Sequence, residues 1–182
     1  MKLQRSTRFL LGVAIALIAT VTLLETQKGQ QADNENTLYD FTEADINAFT
    51  IELEDNTLAF SKTNDTWQMT QPESAEADPS SVAFLLNILT ISTIKETITT
   101  TPDQIETYGL DDPIATVQLD VYDANYTLNV GDPDFSGTAL YVMSTGNAPN
   151  TESVDIHLIS NDLENGLDRP LEDWKAQEEE EP

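Results

Sequence analysis

The sequence contains no cysteine. Disulfides, thiolate metal sites and thiol catalysis are therefore excluded, and stability has to come from packing. Histidine occurs once, as His157. Without a second imidazole or a thiolate, a zinc site would need carboxylates alone, which is an unusual ligand set. Basic residues are scarce, 8 Lys+Arg against 33 Asp+Glu. Beyond residue 24 the only bases are Lys28, Lys62, Lys95, Arg169 and Lys175, so that part carries about −28 and repels nucleic-acid phosphates and anionic headgroups alike. No nucleic-acid partner is expected. No G-x-S-x-G turn, phosphate loop or dinucleotide fingerprint occurs, and no spacing marks two of the many acids as a catalytic pair.

What is present begins with residues 1–24, which hold Lys2, Arg5 and Arg8, no acid, and the uncharged run Phe9–Leu24. As a helix that run would be roughly 24 Å long, slightly short of a hydrocarbon core of about 30 Å. Thr26 and a snorkelling Arg8 stem extend it. A cleaved signal peptide is the alternative, but its apolar region is usually shorter and Leu17/Ala19 or Thr20/Thr22 are poor cleavage pairs. The three leading bases favour a cytoplasmic N-terminus, which places the rest of the chain on the extracytoplasmic, or periplasmic, side as a single-pass membrane protein.

Composition divides the remainder. The stretch Thr26–Asn36 lacks large apolar residues and reads as a tether. The expected organisation is a basic cytoplasmic segment at 1–8, a transmembrane anchor at 9–25, a polar tether at 26–37, a globular domain at 38–175 and an acidic disordered tail at 176–182. Within the domain, Ile46–Leu53, Leu58–Lys62 and Thr66–Thr70 are expected strands, with turns at Asp55-Asn56 and Thr63-Asn64-Asp65. A helix follows, N-capped by Asp78 with Pro79 at its first position and an apolar stripe of Val82, Leu85, Leu86 and Leu89. The β-branched run Ile91–Thr99 predicts a strand. Thr101 and Gln104 have capping-box spacing for a short helix ending at Gly109. Strands are then expected at Ala115–Tyr122, Tyr126–Val130, Ala139–Ser144 and Val154–Ile159, and a last helix at Ser160–Leu167. The fold class is thus α+β, mainly antiparallel sheet with two or three helices. The order strand–strand–strand–helix occurs twice, as a duplicated βββα unit would give.

Individual residues offer little chemistry. His157 falls on the strand face opposite Val154, Ile156 and Leu158, so it is expected at the surface or the sheet rim. Asp132 and Asp134, in Gly131-Asp-Pro-Asp-Phe-Ser-Gly137, are the candidate metal ligands, for Ca²⁺. A turn leaving a strand at Val130 would use the same residues. Asn161–Asp168 resembles a calcium loop superficially, with Leu163 at a ligand position. Trp67 and Trp174 read as core anchors. The Asn64-Asp-Thr66 and Asn125-Tyr-Thr127 acceptor patterns are too short to decide anything.

Taken in order, Ile46, Thr66-Trp67-Gln68-Met69, Pro72, Ala77-Asp78 with the helix stripe, Tyr108-Gly109-Leu110-Asp111-Asp112-Pro113, Leu128-Asn129-Val130-Gly131 and Tyr141-Val142 resemble the DUF4340 domain family. The resemblance covers about residues 38–175, and its most specific piece is Tyr-Gly-Leu-Asp-x-Pro. It implies a membrane-anchored, extracytoplasmic domain. Relatives encoded near gliding-motility-type ABC transporter components imply an accessory role with a protein partner in a membrane complex. No catalytic residue is known for the family, and no cofactor is expected for this chain other than the Ca²⁺ considered above. Physically, Trp67, Pro72, Tyr108, Gly109, Leu110, Asp111, Pro113 and Gly131 look structural: Gly109 ends a helix, Leu110 buries, and Pro113 fixes the start of a strand. The leading expectation is a non-catalytic interaction module; the alternatives are a cation- or small-ligand-binding domain and, last, an enzyme.

Overall fold

The computed structural model describes residues 36–145 and 152–177. The expected basic segment, anchor and most of the tether lie outside the described residues. Among those described, no helix is long and apolar enough to cross a membrane.

The strands are β1 (Ile46–Leu53), β2 (Asn56–Thr63), β3 (Thr66–Gln71), β4 (Ala75–Glu76), β5 (Glu96–Thr100), β6 (Ala115–Val121), β7 (Ala124–Pro133), β8 (Ala139–Thr145) and β9 (Val154–Ser160), with helices α1 (Pro79–Ile91) and α2 (Asp162–Leu167). All nine strands form one sheet in the order β4-β3-β2-β1-β6-β7-β8-β9-β5, and every pairing is antiparallel. Among the described residues, the mainly antiparallel α+β class and the two helices are as the sequence predicts. Two meanders, β1 to β4 and β6 to β9, wind outward from the central pair β1·β6. Each ends in a helix.

The period-2 alternation of strands sets the two faces. In β6, Ala115, Val117, Leu119 and Val121 are buried while Gln118 and Asp120 are exposed. The register carries that apolar row across Ile51 and Phe49 of β1, Leu58 and Phe60 of β2, Met69 of β3 and Leu128 and Val130 of β7. Helices α1 and α2 cover this inner face through Val82, Leu85, Leu86, Leu89, Leu163 and Leu167. Asp78 starts α1 as expected: its carboxylate accepts the Ser81 N–H at 2.7 Å, and Pro79 takes the first position. The aromatic stack of Phe49 on Phe60 (4.5 Å between centroids) is sealed by Trp67 and Trp174. Tyr39 and Phe41, from the chain before β1, close the inner face over Tyr126.

Four expectations change. Ile91 ends α1 instead of opening a strand. The Ser92 N–H still bonds the Ile88 carbonyl, and the strand begins only at Glu96, after Lys95 N–H has reached the Leu158 carbonyl. The run Ile91–Thr99 is β-branched, but the helical hydrogen bonding of its start overrides that propensity. Next, Thr101 and Gln104 form no capping box. The Gln104 side-chain oxygen accepts from Thr100 Oγ1 instead, and Pro102–Tyr108 is a 3-10 helix. Third, β7 runs three residues past Val130 through a bulge. Finally, Ala176, expected at the start of the tail, is still paired: its N–H bonds the Glu76 carbonyl, next to the Lys175–Ala77 bridge, while residues 178–182 lie outside the described residues.

The chain crosses the sheet twice. From β4 at one edge, α1 crosses the inner face to β5 at the other. From β5, the segment 101–114 returns over the outer face to the central β6, passing strands β9, β8 and β7.

Candidate functional site

The returning segment brings together most of the family-type residues. Gly109 ends the 3-10 helix in the left-handed region (φ 68°), where a residue without Cβ is at ease. The Leu110 N–H bonds the Ile105 carbonyl, and the Leu110 side chain is 3% exposed. It packs on β7 at Gly131, where an added Cβ would lie 2.2 Å from the Tyr108 carbonyl oxygen and 3.0 Å from Leu110 Cγ. Only a glycine strand position lets the segment come this close. One residue on, Asp132 fits against Gly109, where an added Cβ would meet Asp132 Cγ at 2.6 Å. The Tyr108 ring meets Tyr141 of β8 edge-on at 5.0 Å. Tyr141 is opposite Leu158, and Ile98 is opposite Ile156. Leu110, Ile156 and Leu158 are buried but separate from the main core; they form a second, small apolar layer on the outer face. Tyr108, Gly109, Leu110 and Gly131 therefore constitute a lock that pins the segment to the sheet. Asp111 and the Pro72 that follows the Gln71–Pro72 cis bond are exposed, and Pro113 is half-buried.

His157 is outside that layer, on the inner face of β9 with Ile159. It does lie on the face opposite Ile156 and Leu158, opposite Val142 in the register. But both faces of β9 are covered, so the ring is half-buried rather than exposed. Thr97 Oγ1 lies 3.0 Å from its Nδ1. Burial holds the imidazole below its ordinary pKa against the upward pull of Asp155. No carboxylate–histidine–hydroxyl arrangement of catalytic type is formed by these contacts.

Asp132 and Asp134 serve different neighbours. Asp134 closes the β7–β8 loop: Oδ1 accepts the N–H groups of Thr138 and Ala139, each at 3.0 Å, and Oδ2 accepts Ser136 Oγ at 2.7 Å. The Ser136 hydroxyl, then the backbone donors, hold its carboxyl below the usual range. Asn161–Asp168 is helix α2 and its approach, with Leu163 fully buried. Among the described residues, no three His, Asp or Glu side chains converge in a way that could hold a metal ion.

Trp67 is core, not platform. It is 8% exposed, edge-on to Phe49, with Lys62 Nζ 5.7 Å from its ring. Trp174 is fully buried, and the Arg169 guanidinium lies between it and Phe84. Neither Arg169 Nε nor Trp174 Nε1 meets an acceptor. Sequence reasoning missed an open hollow of about 460 Å³ walled by Asp40, Asp45, Asp123 and Tyr122. The Tyr122 hydroxyl donates to Asp45 there, which raises the phenol pKa and lowers that of the carboxyl. Only a register-level reading of the β6–β7 turn against Asp45 would have found it.

Beyond the lock, no described element covers the outer face. Its rows, read across β2, β1, β6 and β7, are Ser61, Ala48, Asp120 and Asn125; Ala59, Thr50, Gln118 and Thr127; and Thr57, Glu52, Thr116 and Asn129. Gln118 Nε2 donates to Glu52, and Thr116 Oγ1 to Asn129 Oδ1. This is an amide- and hydroxyl-rich floor.

Residues 67–179, more than half of the chain, match the model of the family described as "Domain of unknown function (DUF4340)". No curated protein and no solved structure matches the chain.

Proposed function

The chain belongs to the DUF4340 family, and from that premise we propose that it is a non-catalytic interaction module. It stands outside the cytoplasm on an N-terminal membrane anchor and serves a membrane complex, an ABC-type transporter or a gliding-type assembly, as an accessory. The observation that carries this reading is the lock itself. Tyr108, Gly109, Leu110 and Gly131 are spent on holding one crossing segment to the sheet, so the family-type residues build a rigid platform instead of lining a cleft. A platform with one sheet face uncovered among the described residues suits binding of a protein surface.

The test is affinity purification of the full-length protein from gently solubilised native membranes, with anchorless residues 25–182 as control. A stoichiometric membrane partner held by the full-length chain is the expected result. Absence of any partner under cross-linking refutes the reading. The competing function, a cation-binding domain, would instead show as a calcium-dependent rise in melting temperature.

We also read the two halves as copies of one unit. The support is that each meander ends in a helix that hands the chain to the other half's edge. After α1, β5 joins β9. After α2, Lys175–Ala176 joins β4 through Ala77 and Glu76. The halves thus exchange the segments that follow their helices, a strand in one direction and an isolated bridge in the other.

A further inference from the structure

We propose that the open outer sheet face is the docking surface, and that its occupant is a cationic, extended protein segment. The proposal rests on the interaction-module reading and adds to it a place and a partner chemistry.

The argument is from where the charges go. Four cations occur among the described residues, and each is turned away from this face. Lys62 is opposite Trp67 on the inner face and lies over that ring. Lys95 Nζ donates to the Thr138 carbonyl at 2.8 Å. Arg169 is held at α1 by Phe84 and Ser81. Lys175 bridges Glu73 and Glu172 at 2.7 Å each, beside the β4 edge. The outer floor carries only negative charge, on Glu52 and Asp120. Its margins are negative too, with Glu54 and Asp55 at one end, Asp123 at the other, and Asp111 on the locked segment, all exposed.

The floor also has a spacing. Glu52 faces Thr116, and Asp120 faces Ala48 one strand away and four residues back. At about 3.3 Å per residue their backbone positions are about 13 Å apart along the strands. An extended chain with Arg or Lys every fourth residue presents its charges at that same interval. Between them, Thr50, Gln118 and Thr127 offer the hydroxyl and amide groups that a backbone lying across the face needs. Arginine fits best, since its planar fork takes a carboxylate and an amide oxygen together. Opposite charge across the contact steers encounter and fixes register. An anionic membrane surface is repelled by the same face.

The test uses the full-length chain in its native membrane. A photo-cross-linking residue is placed at Gln118 on the floor, at Thr99 on the β5 edge, or at Glu164 on the helix side. The expected result is an adduct with one membrane protein from Gln118 only. That adduct should fall about tenfold in E52K/D120K, roughly threefold in the milder E52Q/D120N, and less than twofold in E164K/D168K. Melting temperatures of all variants, expected near that of the parent for exposed sites, exclude misfolding. An adduct only from Thr99 or Glu164, or an equal loss in the helix-side variant, overturns the surface and leaves the interaction reading standing. No adduct from any position overturns both.

Discussion

The lock makes a strong demand on one residue, and Gly131→Ala tests it. The added methyl carbon would sit 2.2 Å from the Tyr108 carbonyl oxygen, and 3.0 and 3.1 Å from Leu110 Cγ and Cδ2. Attractive contact begins beyond about 3 Å, so the turn must back away from β7 by roughly 1 Å. Leu110, buried at 3%, then loses part of a burial worth about 1.5–3 kcal/mol. The Tyr108–Tyr141 edge contact, worth about 0.5–1.5 kcal/mol, is strained with it. Overpacking of this kind typically costs about 1–3 kcal/mol, so we expect about 2–3 kcal/mol. That is a large share of a typical total of about 5–15 kcal/mol but leaves the domain folded. Urea unfolding should show a lower midpoint at unchanged slope, and amide exchange should show the loss concentrated in residues 102–113. Gly137→Ala is the control. Gly137 has φ +69° with nothing within 4 Å, so its alanine meets only the left-handed backbone penalty of about 1 kcal/mol. If Gly131→Ala costs no more than Gly137→Ala, the lock is not what holds the segment.

Three further outcomes follow from single contacts. Asp78→Ala removes the α1 cap held at 2.7 Å and should cost about 1 kcal/mol, read as a lower urea midpoint; an unchanged midpoint shows that the cap is redundant. His157 is held below its ordinary pKa of 6.5 by burial. The unfolded chain therefore binds more protons in the window beneath 6.5, and stability falls as pH drops through it; His157→Gln should remove that part of the slope, and parallel stability curves for variant and parent would refute it. Burial pushes Tyr39 up from 10.0 to about 12 against the Ser144 hydrogen bond. Its contribution is full below pH 10.0 and is lost as pH rises toward about 12, so phenolate absorbance should show a step near 12 that Tyr39→Phe abolishes, and an unchanged titration in the variant would refute it.

Much of the architecture is legible because it depends on local pattern. Val117, Leu119 and Val121 alternate in a strand with one apolar face; Asp78 and Pro79 announce a helix start; and Gly109 marks a stop, because each of these acts within a few residues. Ile91 misled because the β-branched run began inside a helix already committed by its upstream stripe. The two-residue β4 is too short to have a period. The half-burial of His157 has a longer-range cause: alternation marks the Ile156 and Leu158 side of β9 as buried, but it cannot show that the His157 side, shared with Ile159 and facing Val142, belongs to the main core. In sequence, Gly131 reads only as the residue after Val130, where a turn would leave the strand. Its actual constraint, the close approach of Tyr108 and Leu110, comes from a segment more than twenty residues away, which no local signal encodes.

The same reasoning explains why the proposed docking face leaves no motif. Thr50, Gln118 and Thr127 read in sequence as the ordinary polar side of half-buried strands, and Glu52 and Asp120 as two acids among thirty-three. What distinguishes the face is the fate of the cations, and that is settled by tertiary contacts. Lys62 goes to Trp67, Lys95 to the Thr138 carbonyl, Arg169 to Phe84 and Ser81, and Lys175 to two glutamates. A solubility function of the acids would require only their number. It does not require that every cation among the described residues be held on the other side or at an edge, nor that the face no described element covers be walled by the lock. A surface charge of one sign on a rigid, uncovered sheet is a specific constraint on a partner. It places recognition in residues that resemble no family motif, and leaves the family-type residues the task of holding that sheet still.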